Sequence, residues 1–223
     1  MNTKRSFLSL IGGLVGLAAF ASIVSPAHAV VISQTNNTFG SVDGFSTTRD
    51  FIFGPGDFAG TDGIIDKVTI EIDFAKCVNN VDSNGCIDLG DSNTFANEIQ
   101  FSLKSPDSTT VLLVGTGTFD PGNGAGSLDV VMLFDDAGLP LPILPADGTF
   151  APVQALAGFN GEDPVGTWQL TISDSGAGDP LGFFGATLNI EASETSVPEP
   201  ATWALFGLGL LGLGWANRRR RPV

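Results

Sequence analysis

The stretch KVTIEIDFA, residues 67–75, decides how the chain folds. Val68, Ile70, Ile72 and Phe74 alternate with Thr69, Glu71 and Asp73, the two-residue period of a strand with one buried and one wet face. The same period recurs outward from it. EIQFSLK (Glu98–Lys104) sets Ile99, Phe101 and Leu103 against polar neighbours, then meets the turn Ser105-Pro106-Asp107 and the apolar run Val111–Val114. Leu128–Phe134 is a further apolar run. Trp168, Leu170 and Ile172 share one face of GTWQLTISD, and Ala186, Leu188 and Ile190 share one face of ATLNI. Gly, Asp, Asn and Pro cluster between these runs, as loops require. About eight strands with long connections predict an all-β domain, a β-sandwich or jelly roll, with Trp168 in its core.

Composition narrows the function classes. The chain has 223 residues and a formal net charge of -14, distributed unevenly. Lys4 and Arg5 open it and Arg218–Arg221 close it. Residues 30–197 keep four basic side chains against 23 acidic ones, a net of -19. Such a surface repels phosphates and offers no basic groove, which excludes nucleic acid as a partner. An apolar fraction of 43% with 17 Phe is ample for a core and argues against disorder. The acid excess serves solubility, or groups some aspartates around a hard cation such as calcium.

The ends read as addresses. Lys4 and Arg5, an apolar run from Phe7 to Val24 and the sequence Ser25-Pro26-Ala27-His28-Ala29 form a signal peptide, with cleavage by signal peptidase after Ala29 at the Ala27/Ala29 site. The alternative is an uncleaved anchor, against which Pro26 and the small residues speak. Cleavage removes His28, the sole histidine. Ser-His-Asp and Cys-His catalysis and the usual catalytic zinc sites are then excluded. GPGDFAG and GNGAG lack the lysine and strand–helix context of nucleotide-binding loops. Asp135-Asp136 and Glu162-Asp163 leave carboxylate hydrolysis open as chemistry, because spacing in sequence does not fix spacing in space. The expectation is a protein that is not an enzyme. In an exported chain, Cys77 and Cys86, separated by a turn-rich insert containing Asn84-Gly85, are expected to form a disulfide. Closing that short loop contributes about 2–3 kcal/mol.

Ala201–Ala216 is apolar but shorter than the roughly 20 residues that span a bilayer comfortably, and it holds Gly207, Gly209, Gly212 and Gly214. Arg218, Arg219, Arg220 and Arg221 form a cytoplasmic stop. Pro198-Glu199-Pro200, this short helix and the Arg cluster together resemble the PEP-CTERM sorting signal of Gram-negative bacteria. The resemblance implies processing by an exosortase, a membrane-embedded cysteine protease, at or near Pro198, Glu199 and Pro200. It also implies a membrane-anchored precursor, inserted transiently in the inner membrane, and delivery to the cell surface or an exopolysaccharide biofilm matrix. A plain tail anchor is the alternative. The predicted organisation is a signal peptide at 1–29, a β-sandwich at 30–195 and a sorting signal at 196–223, so that a signal helix and a hydrophobic helix flank the sandwich.

Within the sandwich, SLKSPDSTTVLL (Ser102–Leu113), Phe134-Asp135-Asp136 and LAGFNGEDPVGTWQLTISD (Leu156–Asp174) resemble the P domain, the jelly roll that follows the catalytic domain of proprotein convertases and bacterial subtilases. Phe159, Gly161, Gly166-Thr167-Trp168, Leu170 and Asp174 stand in that family's order. Ser108, Leu181 and Ala186 depart from it. Some P domains bind calcium, which makes Asp135, Asp136, Asp163, Asp174 and Asp179, converging from loops at one end of the sandwich, the candidate calcium ligands. Asp82-Ser83-Asn84 with Asp88 and Asp91 is a second oxygen-rich stretch, without EF-hand spacing. The expected function is that of a non-catalytic surface or matrix protein that binds exopolysaccharide or another surface protein. The alternative is an accessory P domain that docks to or stabilises a separate subtilisin-like protease.

Overall fold

In the computed structural model the described residues are 28–87, 94–120, 126–195 and 207–210. Strands form where the alternation predicts them. β1 (Ala29–Asn36), β2 (Gly40–Val42) and β3 (Ser46–Phe53) precede the long β4 (Thr61–Lys76). The hairpin β5 (Val81–Asp82) and β6 (Gly85–Cys86) follows, then β7 (Ile99–Lys104), β8 (Thr110–Val114) and β9 (Leu128–Leu139). β10 (Gly148–Phe150), β11 (Gly166–Asp174) and β12 (Leu181–Glu194) complete the fold.

Two sheets form the sandwich. The larger runs β1-β12-β4-β9-β10, with β2 pairing on β12, and the smaller runs β3-β11-β7-β8. All pairings are antiparallel except that of β10 with β9. Burial follows strand phase. Val68, Ile70, Ile72 and Phe74 of β4 and Leu188 and Ile190 of β12 face Phe101, Leu103, Trp168, Leu170 and Ile172 of the smaller sheet in one buried cluster. Phe74 and Phe101 meet edge to face, centroids 5.0 Å apart, an arrangement favoured by the ring quadrupoles. Trp168 is fully buried, its indole N–H donating to the Pro164 carbonyl at 3.0 Å. This satisfies the polar atom that burial would otherwise penalise.

Cys77 and Cys86 are bonded, with Cα atoms 5.3 Å apart. The hairpin they close turns on Ser83-Asn84, where the Asp82 carboxylate accepts the Asn84 N–H at 2.8 Å. Ser108, where the resembled family has glycine, sits at φ 74°, in the left-handed region that disfavours a Cβ. Ala29 of the expected signal cleavage site opens β1, whereas Ala27, Asp88, Asp91, Pro198-Glu199-Pro200, Arg218–Arg221 and most of the expected sorting helix lie outside the described residues; residues 207–210 are helical. Among the described residues no helix is long and apolar enough to cross a membrane.

Candidate functional site

Lys67 and Lys76 stand nine residues apart on β4, about 30 Å at the rise of a strand, and each holds its own aspartates. Lys67 meets Asp135 at 2.7 Å. That hydrogen bond, helped by one from the Ala137 N–H, holds the Asp135 carboxyl below its usual range and raises Lys67. Asp136 accepts the N–H groups of Leu156 and Ala157 at 2.7 and 2.8 Å and so caps the short 3-10 turn Leu156–Phe159. Asp163 accepts the Val165 N–H at 2.9 Å. The five aspartates expected to converge at one end of the sandwich therefore do not. Asp135 joins the Lys67 side of β4 and Asp174 and Asp179 join the Lys76 end. Among the described residues no group of three or more His, Cys, Asp or Glu is placed to hold a metal ion.

Where Asp174 and Asp179 do meet, the charge between them belongs to the chain. Lys76 is fully buried, its Nζ 2.7 Å from Asp174, 3.1 Å from Asp179 and 3.5 Å from Glu98. It also donates to the Asp179 carbonyl. Gly176 lets Glu98 approach, since a Cβ there would lie 2.0 Å from the carboxylate. The Phe95 N–H donates to Asp179 and the Gly176 N–H to Asp174, adding backbone donors to the cluster. Even so, one ammonium faces three carboxyls. Burial raises Glu98 and Asp174 above their ordinary values, with Asp179 adding repulsion and Lys76 opposing both effects.

A different acidic region lies on the outer face of the larger sheet. A groove of about 330 Å³ opens between the end of β1, β4 and β12, lined by Asn37, Glu71, Asp73, Phe184 and Thr187 among others. Glu71 and Asp73 come from the polar phase of KVTIEIDFA and pair in register with Thr187 and Gly185. The register slips between Phe183 and Gly185, and Phe184 is the unpaired residue of that bulge, a device that re-aims a side chain. Its ring stacks on Phe39, centroids 5.8 Å apart and planes 24° apart. Gly185 leaves room for Asn37, whose Oδ1 would lie 2.6 Å from any Cβ there. Asp73 is raised by burial first and then by Asp129, Glu71 and Asp147. Neither Asp73 nor Glu71 forms a salt bridge among the described residues. From the groove a polar ladder continues along the face: Thr35 with Thr187, Ser33 with Asn189, Asn189 with Thr69, and Ser193 with Asp66. Of these groove residues, sequence reading saw Glu71 and Asp73 only as a wet strand face.

The fold and its disulfide define a class, an all-β sandwich, and the sequence runs on from it into a terminal segment. That segment is specific: residues 196–220 match the PEP-CTERM protein-sorting motif. The motif marks an exported surface protein of Gram-negative bacteria, processed by exosortase. No curated protein matches the chain in sequence. Among solved structures, the chain is similar to dimeric latent PorU from Porphyromonas gingivalis at 10% identity and a TM-score of 0.31. That likeness covers 80% of this chain and 14% of the PorU chain. It is also similar to VP1 of Trichodysplasia spinulosa-associated polyomavirus, at 9% identity and a TM-score of 0.14, covering 75% and 78% of the two chains.

Proposed function

We propose that the protein is a non-catalytic component of the cell surface or extracellular matrix, whose sandwich binds exopolysaccharide. On this reading signal peptidase releases residue 30 onward, the C-terminal helix holds a precursor in the inner membrane, and exosortase cuts near Pro198-Glu199-Pro200. The observation that carries the reading is the sorting motif at residues 196–220, behind a β-sandwich with a wet, hydroxyl- and amide-bearing outer face. An acidic domain with a net of -19 over residues 30–197 suits a soluble, extended environment better than a nucleic-acid or anionic-lipid surface. Mass spectrometry of the protein recovered from the matrix of its own cells tests the proposal. Termini near Val30 and Pro198 are expected. An intact Val223, or recovery only from the inner membrane, overturns it.

A further inference from the structure

Lys76 and Asp174 stand as a nucleophile and an acyl group held face to face. Lys76 is the last residue of β4 and Asp174 the last of β11, interior strands of opposite sheets. Both side chains are fully buried, and Nζ lies 2.7 Å from Asp174 Oδ2. The Asp179 carbonyl accepts from the same Nζ and so fixes the end of a long side chain. The second oxygen, Asp174 Oδ1, accepts the Gly176 N–H at 3.3 Å, a donor placed where negative charge gathers when the carboxyl carbon is attacked. Burial favours the neutral acid at Asp174, the form from which a hydroxyl can leave. Two further carboxyls reach Nζ, Asp179 at 3.1 Å and Glu98 at 3.5 Å, and of the four side chains only Glu98 is appreciably exposed. A structural ion pair is complete with one carboxylate. A fixed amine, a polarised carboxyl and a proton relay with an outlet to solvent are the parts of a condensation.

We propose that Lys76 and Asp174 join in an intramolecular amide that staples the two sheets together. The ionic cluster is the reactant state. A proton passes from Nζ to the Asp174 carboxyl inside the closed site, leaving an amine and a carboxylic acid. Nζ attacks Cγ and the C–N bond forms. Glu98 takes a second proton from the nitrogen and hands it to Oδ2, the C–Oδ2 bond breaks, and water leaves past Glu98. The ammonium gives up two protons and the carboxylate one oxygen, so net charge is unchanged and nothing is oxidised or reduced. Holding the two groups in place supplies an effective concentration of roughly 10⁵–10⁸ M. The bond joins residues separated by 98 positions, so a pull on a surface-held chain cannot extend that span.

Intact-mass measurement of the disulfide-reduced protein, at intervals after synthesis, provides the test. The early chain is expected at its full sequence mass. The late chain should be lighter by one water, with a branched peptide joining Lys76 to Asp174. Asp174→Ala should keep the full mass at all times. Glu98→Gln, a shape-preserving change at a partly exposed side chain, keeps both reacting groups and should slow the water loss about a hundredfold. It keeps the test decisive where Asp174→Ala fails to fold. A late chain at full mass, or a branch at Asp179 or Glu98, overturns the bond. So does water loss that persists in Asp174→Ala, as a succinimide at Asp62-Gly63 or Asp147-Gly148 gives. Condensation of Glu98→Gln at the wild-type rate overturns the relay assigned to Glu98. Terminal peptides in the same spectra report the processing sites, so failure of the bond and failure of the matrix reading are told apart.

Discussion

At the inner end of β4, Glu98, Asp174 and Asp179 surround an ammonium that the chain supplies itself. On the outer face of the same strand, Glu71 and Asp73 gather with Asp129 and Asp147 around no cation of the described residues. Both regions push carboxyls above their ordinary values, but for different purposes. Inside, Lys76 joins residues from β4, β11 and two loops, so the cost of burying charge is offset by a fixed, hydrogen-bonded geometry. Outside, repulsion is left uncompensated against solvent, where it is small and where it can act on an incoming ligand. The contrast teaches that acid-rich sequence in this chain serves two ends, a self-closed structural centre and an open face.

The comparison breaks most readily at Lys76, read against wild-type chain that still has its full mass. Lys76→Met keeps the volume and removes the charge, leaving two buried carboxyls and the half-buried Glu98 facing one another. A loss of about 3–5 kcal/mol in urea unfolding at neutral pH is expected. The loss should shrink on acidification, because protons then replace the ammonium. The sign follows from the shifts. Glu98 and Asp174 are raised in the folded state, so their favourable contribution is complete below the ordinary carboxylate range and disappears as pH rises through their folded values. Wild-type stability should therefore rise as pH falls from neutrality toward about 4. It should decline below that as Asp135, held low by Lys67, is protonated. A Lys76→Met deficit that is absent, or that is the same at every pH, would show that the cluster is not organised by this ammonium.

Next in size is the disulfide beside that cluster. The double variant Cys77→Ser, Cys86→Ser should lose about 2–3 kcal/mol in urea unfolding, the loop-closure contribution. Reduction of the wild type should give the same value. The hairpin it closes packs Val81 over Gly182, where a Cβ would lie 2.5 Å from the valine, toward the Lys76 end of β12. The same hairpin sets Gly85 against the Asp129 carboxylate, so it borders both acidic regions, and a loss well below that range would show that its packing and not the bridge holds it.

Much of this architecture was legible in the residues. The alternation at Lys67–Ala75, Glu98–Lys104 and Gly166–Asp174 located β4, β7 and β11, because the polar residues between the apolar ones face outward, with Glu98 and Asp174 at the ends turning in to Lys76. The cysteine pair and the terminal motif carry local signals strong enough to be read alone. β1 and β3 were harder to see, since partial burial at a sheet edge blurs the period. The aspartates were noticed, but their lysine partners, Lys67 for Asp135 and Lys76 for Asp174 and Asp179, were not. One signal was available: Lys76 falls on the inward phase set by Val68, Ile70, Ile72 and Phe74, the position at which a lysine must be buried and paired. The groove had no such signal. Phe184 is aimed by a slip between β4 and β12, strands more than a hundred residues apart in sequence, and nothing near residue 184 encodes it.

The smallest expected effect sharpens the contrast from the other side. If the outer acids are kept for a ligand and not for folding, Asp73→Asn should cost no stability. The substitution preserves shape and removes a carboxyl that Asp129, Glu71 and Asp147 all disfavour. Because the face is wet, the repulsion relieved is screened, and the gain should stay within about 0.5 kcal/mol. It should be largest at neutral pH and vanish as the pH falls to the ordinary carboxylate range, where the wild-type carboxyl is itself neutral. Thermal unfolding of both proteins across that range measures it. A clear destabilisation would place Asp73 among the groups that hold the sandwich together, as Asp174 is. A neutral or slightly positive change is what a face that plays no part in holding the sandwich together requires.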